Sequence, residues 1–210
     1  MRLIDTHSHL FLEEFSEDFP QVIERARAAG VTHIFMPNID STTIEAMLSA
    51  CSVYKGYCFP MIGLHPTSVN ANYEKELEIV ARELKFSKEY VAIGEIGMDL
   101  YWDKTYLKEQ QIVLDKQVNW ALEYDLPIVI HCRDAFDYIY KVLEPYKKTP
   151  LRGIFHSFTG TAEEATRVLE FSDFFIGING VVTFKKSHLP EILAGIPLEK
   201  IVLETDSPYL

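Results

Sequence analysis

No apolar run in this chain of 210 residues approaches the ~18 that a membrane-spanning helix requires. The N-terminus carries no cationic stretch followed by a long apolar core, so no signal peptide is expected. Cysteine is scarce. Cys51, Cys58 and Cys132 form an odd set with no CxxC pair, and they read as reduced, mostly buried thiols of a cytosolic protein. No Gly/Ser, Gln or Pro tract marks a disordered linker. Cations are few: Lys and Arg total 20 against 31 Asp and Glu, a net charge of −11. Such a surface argues against non-specific wrapping of nucleic acid, which relies on many Lys and Arg contacts to phosphate. It leaves room for one strand held locally at a site by metal ions. The expected setting is the soluble cytoplasm, with no membrane partner.

What the chain has is apolar and aromatic residues, 48% and 12% of the total, enough for a substantial core. They fall into eight short runs: 3–7, 31–36, 58–64, 90–96, 127–131, 152–156, 173–178 and 200–205. The runs are rich in Ile, Val and Phe and several lack polar alternation, as in strands buried on both faces of a parallel sheet. Amphipathic helices are expected between them at 19–29, 41–54, 73–86, 105–124, 134–147, 161–171 and 187–194. Asp40 and Ser41 read as the start of one helix, Thr161 with Glu164 as a capping box, and Gly30 as a helix stop. No linker or shift in composition divides the chain, so residues 1–210 are expected to form one domain.

Alternating strands and helices predict an α/β fold, a (β/α)8 TIM barrel, with a doubly wound open sheet as the alternative. Seven helices are counted, and the eighth, which would cover the seam between last and first strands, is missing. A C-terminal truncation or an exposed apolar seam is therefore expected.

In such a barrel the chemistry sits at the C-terminal ends of the strands. His9, His65, His131 and His156 each fall at or just past the end of a different run, and His7 is the partner of His9. Glu95 and Asp206 hold equivalent places. Within a strand, residues i and i+2 share a face, so His7 and His9 can aim at one point. Imidazole with carboxylate suits zinc, manganese, iron or nickel, while magnesium prefers oxygen donors and water. His7, His9, Glu95, His131, His156 and Asp206 outnumber the ligands of one catalytic zinc, so two divalent ions (Zn, Mn, Ni or Mg) are expected. Glu95 is the expected bridge.

The segments DTHSHL (5–10), GLHP (63–66), GEIGMD (94–99), IHCRDA (130–135), FHSFTG (155–160), GVVTFKK (180–186) and ETDSPYL (204–210) resemble the motif set of the TatD family of metal-dependent deoxyribonucleases. That family belongs to the amidohydrolase superfamily of TIM barrels. The resemblance implies that His7, His9, Glu95, His131, His156 and Asp206 are the metal and catalytic residues. It also implies hydrolysis of DNA phosphodiesters, in many members from strand ends in the 3′ to 5′ direction. Members usually continue past ETDSPYL into a final helix.

Within that reading His7 and His9 hold one ion, His131 and His156 the other, and Glu95 lies between. Asp206 ligates the first ion and accepts the proton of the attacking water, and a helix N-cap before the Ser207–Pro208 turn is its bland alternative. His65 contacts substrate phosphate or orients a ligand, against a simple turn histidine. Arg133 binds phosphate or pairs with a nearby acid. Tyr101 and Trp102 stack on bases or cover the barrel rim. Lys185 and Lys186 read as solvated surface, Asp5 as an orienting group for a histidine, and Asp99 as either that or a loop cap. Cys132 reads as a buried thiol, because strand neighbours face opposite ways. His33 and His188 read as structural or surface groups. Two rivals stand beside the nuclease. One is an amidohydrolase acting on an amide, lactone or phosphotriester, many of which bridge their metals with a carbamylated lysine. No lysine stands at any of the eight ends. The other is a non-catalytic metal-binding scaffold.

Overall fold

The computed structural model describes residues 1–209. Eight parallel strands alternate with seven helices: β1 (Leu3–Asp5), α1 (Phe19–Ala28), β2 (Val31–Pro37), α2 (Ile44–Val53), β3 (Cys58–Met61), α3 (Tyr73–Phe86), β4 (Ile93–Asp99), α4 (Leu107–Glu123), β5 (Ile128–Arg133), α5 (Phe136–Leu143), β6 (Gly153–Phe155), α6 (Ala162–Val168), β7 (Phe174–Ile178), α7 (Leu189–Leu193) and β8 (Ile201–Leu203). Strands pair in chain order, β1-β2-β3 and β4-β5-β6-β7-β8. The two sheets join where Ile62 bridges Ile93, with Gly94 N donating to Ile62 O at 2.9 Å. The ring closes where Thr6 N donates to Leu203 O at 3.1 Å. Consecutive order with closure at both ends makes a barrel and excludes the doubly wound sheet, whose strand order reverses.

Local signals explain the elements. The Thr161–Glu164 capping box forms in full and starts α6. Gly30 adopts φ +93° after α1, the left-handed turn a helix stop needs. Helix α2 differs from expectation. It begins at Ile44, because Asp40 Oδ1 accepts from Thr42 N and Oγ1 and holds residues 40–42 in a turn.

Strand bounds also moved, and this matters for the site. β1 ends at Asp5, so His7 and His9 lie beyond it and strand alternation is not what aligns them. β4 runs to Asp99 and β5 to Arg133, which places Glu95 and His131 inside strands rather than at their ends. All seven residues of β4 are buried, so periodicity gave no marker for its end.

Among the described residues no helix follows β8. At the seam Ile4 is 47% and Leu203 54% exposed. Polar contacts also tie the seam together. The buried Asp5 carboxylate accepts from Thr205 N at 3.0 Å, Thr205 Oγ1 at 2.7 Å and His7 N at 3.3 Å. Asp5 therefore orients the backbone of the histidine segment, not an imidazole ring. We predict that Asp5→Ala, which removes three hydrogen bonds to a buried carboxylate, costs about 2–3 kcal/mol of stability. Urea unfolding checks this. An unchanged midpoint would show that the seam does not depend on Asp5.

Candidate metal centre

Beyond β1 the chain is pinned on both sides. Ser8 N donates to Phe35 O at 3.0 Å and His9 N to Ser207 O at 2.8 Å. This fixes the two rings at 70° to each other with Nε2 atoms 3.1 Å apart. Both Nε2 atoms also face Glu95 Oε2, at 3.2 and 3.5 Å, and Asp206 Oδ1, at 3.7 Å each. Five of the six separations among these four atoms thus lie between 3.1 and 3.7 Å. Ligand bonds of about 2.0–2.2 Å at tetrahedral angles place neighbouring donors about 3.3–3.6 Å apart.

The other oxygen of Glu95 faces a different group. Oε1 lies 2.8 Å from His156 Nε2, 2.9 Å from His131 Nδ1 and 3.3 Å from His65 Nε2. One buried carboxylate therefore meets five imidazoles, two on one oxygen and three on the other. Three sets have donor atoms within 4.8 Å of one another: His7, His9 and Glu95; His7, His156 and Asp206; His65, Glu95 and His131. The six residues expected to bind metal are all brought together. So is His65, nearer to Glu95 than a role in contacting substrate alone requires.

Charge in the cluster is unevenly divided. Burial pushes His7 down to about 4, with the neighbouring His156 adding to the effect, so its imidazole is neutral at pH 7. Burial also acts to lower His156, but Glu95 and Glu204 outweigh it and hold this ring well above the usual histidine range. Burial works to raise Glu95, yet the surrounding His156, His65 and His7 hold it well below the carboxylate range. Asp206 is pushed up to about 6, chiefly by burial. Its backbone takes φ +56°, a conformation Asp tolerates better than most residues.

The donor set fits a divalent cation. The Nε2 atoms of His7 and His9 lie 3.1 Å apart and both face oxygens of Glu95 and Asp206. Nitrogen lone pairs and carboxylate oxygens brought this close are compensated by a cation between them. A cleft of about 680 Å³ opens onto these groups and is also lined by Trp102, Arg133 and Tyr209.

Several supporting residues carry no role in the sequence reading. Glu204 is buried, accepts from Ser157 N and lies 3.5 Å from His156 Nδ1. Space for it exists because residue 177 is glycine; a Cβ there would fall 2.6 Å from Glu204 Oε2. Two buried glutamines of α4 clamp backbone. Gln117 accepts from Leu64 N at 2.7 Å and donates to Leu64 O at 3.3 Å, beside His65. Gln110 does the same to Asp99, at 3.0 and 3.2 Å. Asp99 in turn meets His131 Nε2 at 2.9 Å, which resolves its role as an orienting group. The legible signal was helical spacing: both glutamines share the buried stripe of Val113, Leu114 and Ala121.

Other residues stand apart. Cys51 and Cys58 are buried, Cys132 is half-buried, and none is disulfide-bonded. Burial pushes the Cys132 thiol up to about 12, so it is no nucleophile at neutral pH. His33 stacks on Phe59, 5.5 Å between centroids, and His188 precedes α7. Lys185 and Lys186 are exposed.

The family described as TatD related DNase matches residues 4–210. The uncharacterized metal-dependent hydrolase YabD of Bacillus subtilis is 36% identical over 209 residues, 99% of this chain and 81% of that protein. The 3'-5' ssDNA/RNA exonuclease TatD of Pantoea ananatis is 32% identical over 210 residues, 99% of this chain and 80% of that protein. The crystal structure of the TatD homolog YjjV from Escherichia coli superposes with a TM-score of 0.91 at 32% identity, covering 99% of this chain and 80% of that one. An organophosphorus hydrolase variant, at 11% identity and a TM-score of 0.69, shares the fold alone. With matches across nearly its whole length and a converging cluster of imidazoles and carboxylates, the chain belongs to the TatD family of metal-dependent hydrolases.

Proposed function

We propose that this protein hydrolyses phosphodiester bonds of DNA, removing nucleotides from strand ends in the 3′ to 5′ direction. We further propose that residues 1–210 act as one cytoplasmic domain. The observation that carries the reading is the convergence of His7 and His9 on both Glu95 and Asp206, at donor separations of 3.1 to 3.7 Å. The nuclease names of relatives such as the Pantoea ananatis protein support the substrate.

In this reading His7, His9 and Asp206 would hold one cation, and His131 and His156, with His65 beside them, would hold a second, with Glu95 between the two groups. Bound divalent ions supply the Lewis acidity that acidifies water and neutralises a phosphate. The chain's own contribution is placement and protons. Asp99 fixes the His131 ring, and Glu204, 3.5 Å from His156 Nδ1, favours the charged form of that ring. Asp206, half-way to a neutral acid at about pH 6, is suited to accept a proton from water and return it. His65 faces the cleft and contacts the substrate phosphate from there.

A lactonase or phosphotriesterase reading would share the barrel. What favours the nuclease is Glu95, a carboxylate held between both groups where a carbamylated lysine would otherwise stand. We predict that manganese-supplemented protein degrades single-stranded DNA and leaves simple lactones intact. Glu95→Gln should lower that rate about 10²–10³-fold or more with little change in far-UV circular dichroism. Turnover of lactone alone would overturn the substrate. Unchanged hydrolysis in the variant would overturn the role of Glu95.

Cation binding must also displace protons. His156 is held protonated near neutral pH, and Asp206 carries its proton below about 6. Because protons and cations compete for the same atoms, affinity falls as pH drops through 6 and proton release grows. We predict that zinc titration at pH 7 releases protons, and releases more at pH 5.5 as Asp206 joins. Calorimetry in buffers of different ionisation enthalpy reads this directly. Heats independent of buffer would exclude His156 and Asp206 as ligands.

A further inference from the structure

Trp102 is 73% exposed and Tyr101 52%, in the loop that leaves β4. Their rings meet edge to face, with centroids 4.7 Å apart and planes at 90°. The Arg133 guanidinium carbon lies 3.8 Å from the Tyr101 ring centroid and 5.4 Å from that of Trp102. This grouping is built by the strands. The β4–β5 register pairs Asp99 with Arg133, Leu100 N donates to Arg133 O at 2.9 Å, and Tyr101 N donates to Asp99 Oδ1 at 3.0 Å. The loop is thereby turned over the end of β5.

Arg25, Arg152 and Arg167 each hold a carboxylate, whereas Arg133, like Arg2, Arg27 and Arg82, enters no ion pair among the described residues; of these four only Arg133 lines the cleft. Asp99, across the ladder from it, is taken by His131. The guanidinium instead lies over Tyr101, which fixes its plane and leaves its edge donors for a phosphate. Trp102 and Arg133 both line the cleft that contains Glu95, His65 and His131.

We propose that Trp102 is a stacking platform for an unpaired nucleobase and that Arg133 binds the adjoining phosphate. This assigns a strand-binding subsite within the nuclease reading above and rests on it. A base offers its face to an indole only when unstacked, and such stacking tolerates any sequence. In a protein of net charge −11, stacking also supplies attraction that needs no further cations.

The test uses Trp102 as its own reporter. The chain has two tryptophans, so in a Trp120→Phe background all indole emission comes from Trp102. Zinc-loaded protein is titrated with a single-stranded deoxyoligonucleotide protected by terminal phosphorothioate linkages. The same strand with abasic end positions, and a blunt duplex, are titrated alongside. Saturable quenching is expected with the intact single strand, and about tenfold weaker binding with the abasic strand and the duplex. Trp102→Ala should weaken anisotropy-measured binding of the intact strand about tenfold while leaving the thermal midpoint in place. Arg133→Ala should weaken binding and flatten its salt dependence. Emission unchanged while anisotropy reports a bound strand, or equal affinity for the abasic strand, would overturn the platform. If no strand binds, the platform is also overturned. Hydrolysis of unprotected DNA by the wild-type protein separately decides whether the nuclease reading stands.

Discussion

A single buried carboxylate, Glu95, placed among five imidazoles, is the constraint around which the molecule is organised. Alone at that depth a carboxyl would take up a proton, since burial penalises its charged form. The imidazoles reverse this and keep it ionised. The carboxylate in turn holds His156 charged, while His7, equally buried, is driven neutral. Neighbouring rings within one cluster are thus set in opposite states by position alone. The arrangement is stable only if its separations are maintained, because Coulomb terms in a dry interior change steeply with distance.

Maintaining them requires groups from many strands to arrive together, which is what a closed barrel does. His7 and His9 come from the segment after β1, His65 from the segment after β3, Glu95 and His131 from within β4 and β5, His156 from just past β6, and Asp206 from beyond β8. Loops alone would leave them mobile. The structure instead fastens each segment to a rigid element: Gln117 and Gln110 of α4 grip Leu64 and Asp99, and Asn38 Oδ1 accepts from Gly63 N at 2.7 Å. These amides lie on buried faces where a polar group is costly without a partner. Each has its partner in backbone that carries a site residue.

Much of this was readable in the sequence, and the failures have physical causes. Eight strands and seven helices were legible because parallel strands buried on both faces appear as apolar runs. The gathering of these side chains was legible because histidines recurred at the ends of those runs. Their placement was less so. β4 is buried throughout, so its end could not be read from alternation, and Glu95 was assigned to a terminus that proved to be mid-strand. The alignment of His7 with His9 was attributed to strand geometry, although β1 stops at Asp5 and hydrogen bonds to Phe35 and Ser207 do the aligning. Glu204 carried no sequence signal: its burial just past β8 depends on the space left by a glycine on the neighbouring strand, Gly177. Gln110 and Gln117 were hidden by residue type, since glutamine in a helix is expected on the wet face.

Net charge sets the remaining constraint. A surface with 31 acids and 20 bases repels a polyanion at long range, so attraction has to be concentrated where a strand is handled. In the proposed reading three devices do this within one cleft: bound cations at the barrel axis, an arginine with no acid paired to it, and an exposed indole whose attraction is not Coulombic. Only the first two weaken with salt. A protein that gripped DNA by a basic face would hold duplex and single strand alike. One that grips through a flat ring at the rim and cations below engages a strand whose bases are free. The acidity that first argued against nucleic-acid wrapping is therefore consistent with a nuclease that works on strand ends, where few phosphates and one or two unstacked bases are presented at a time.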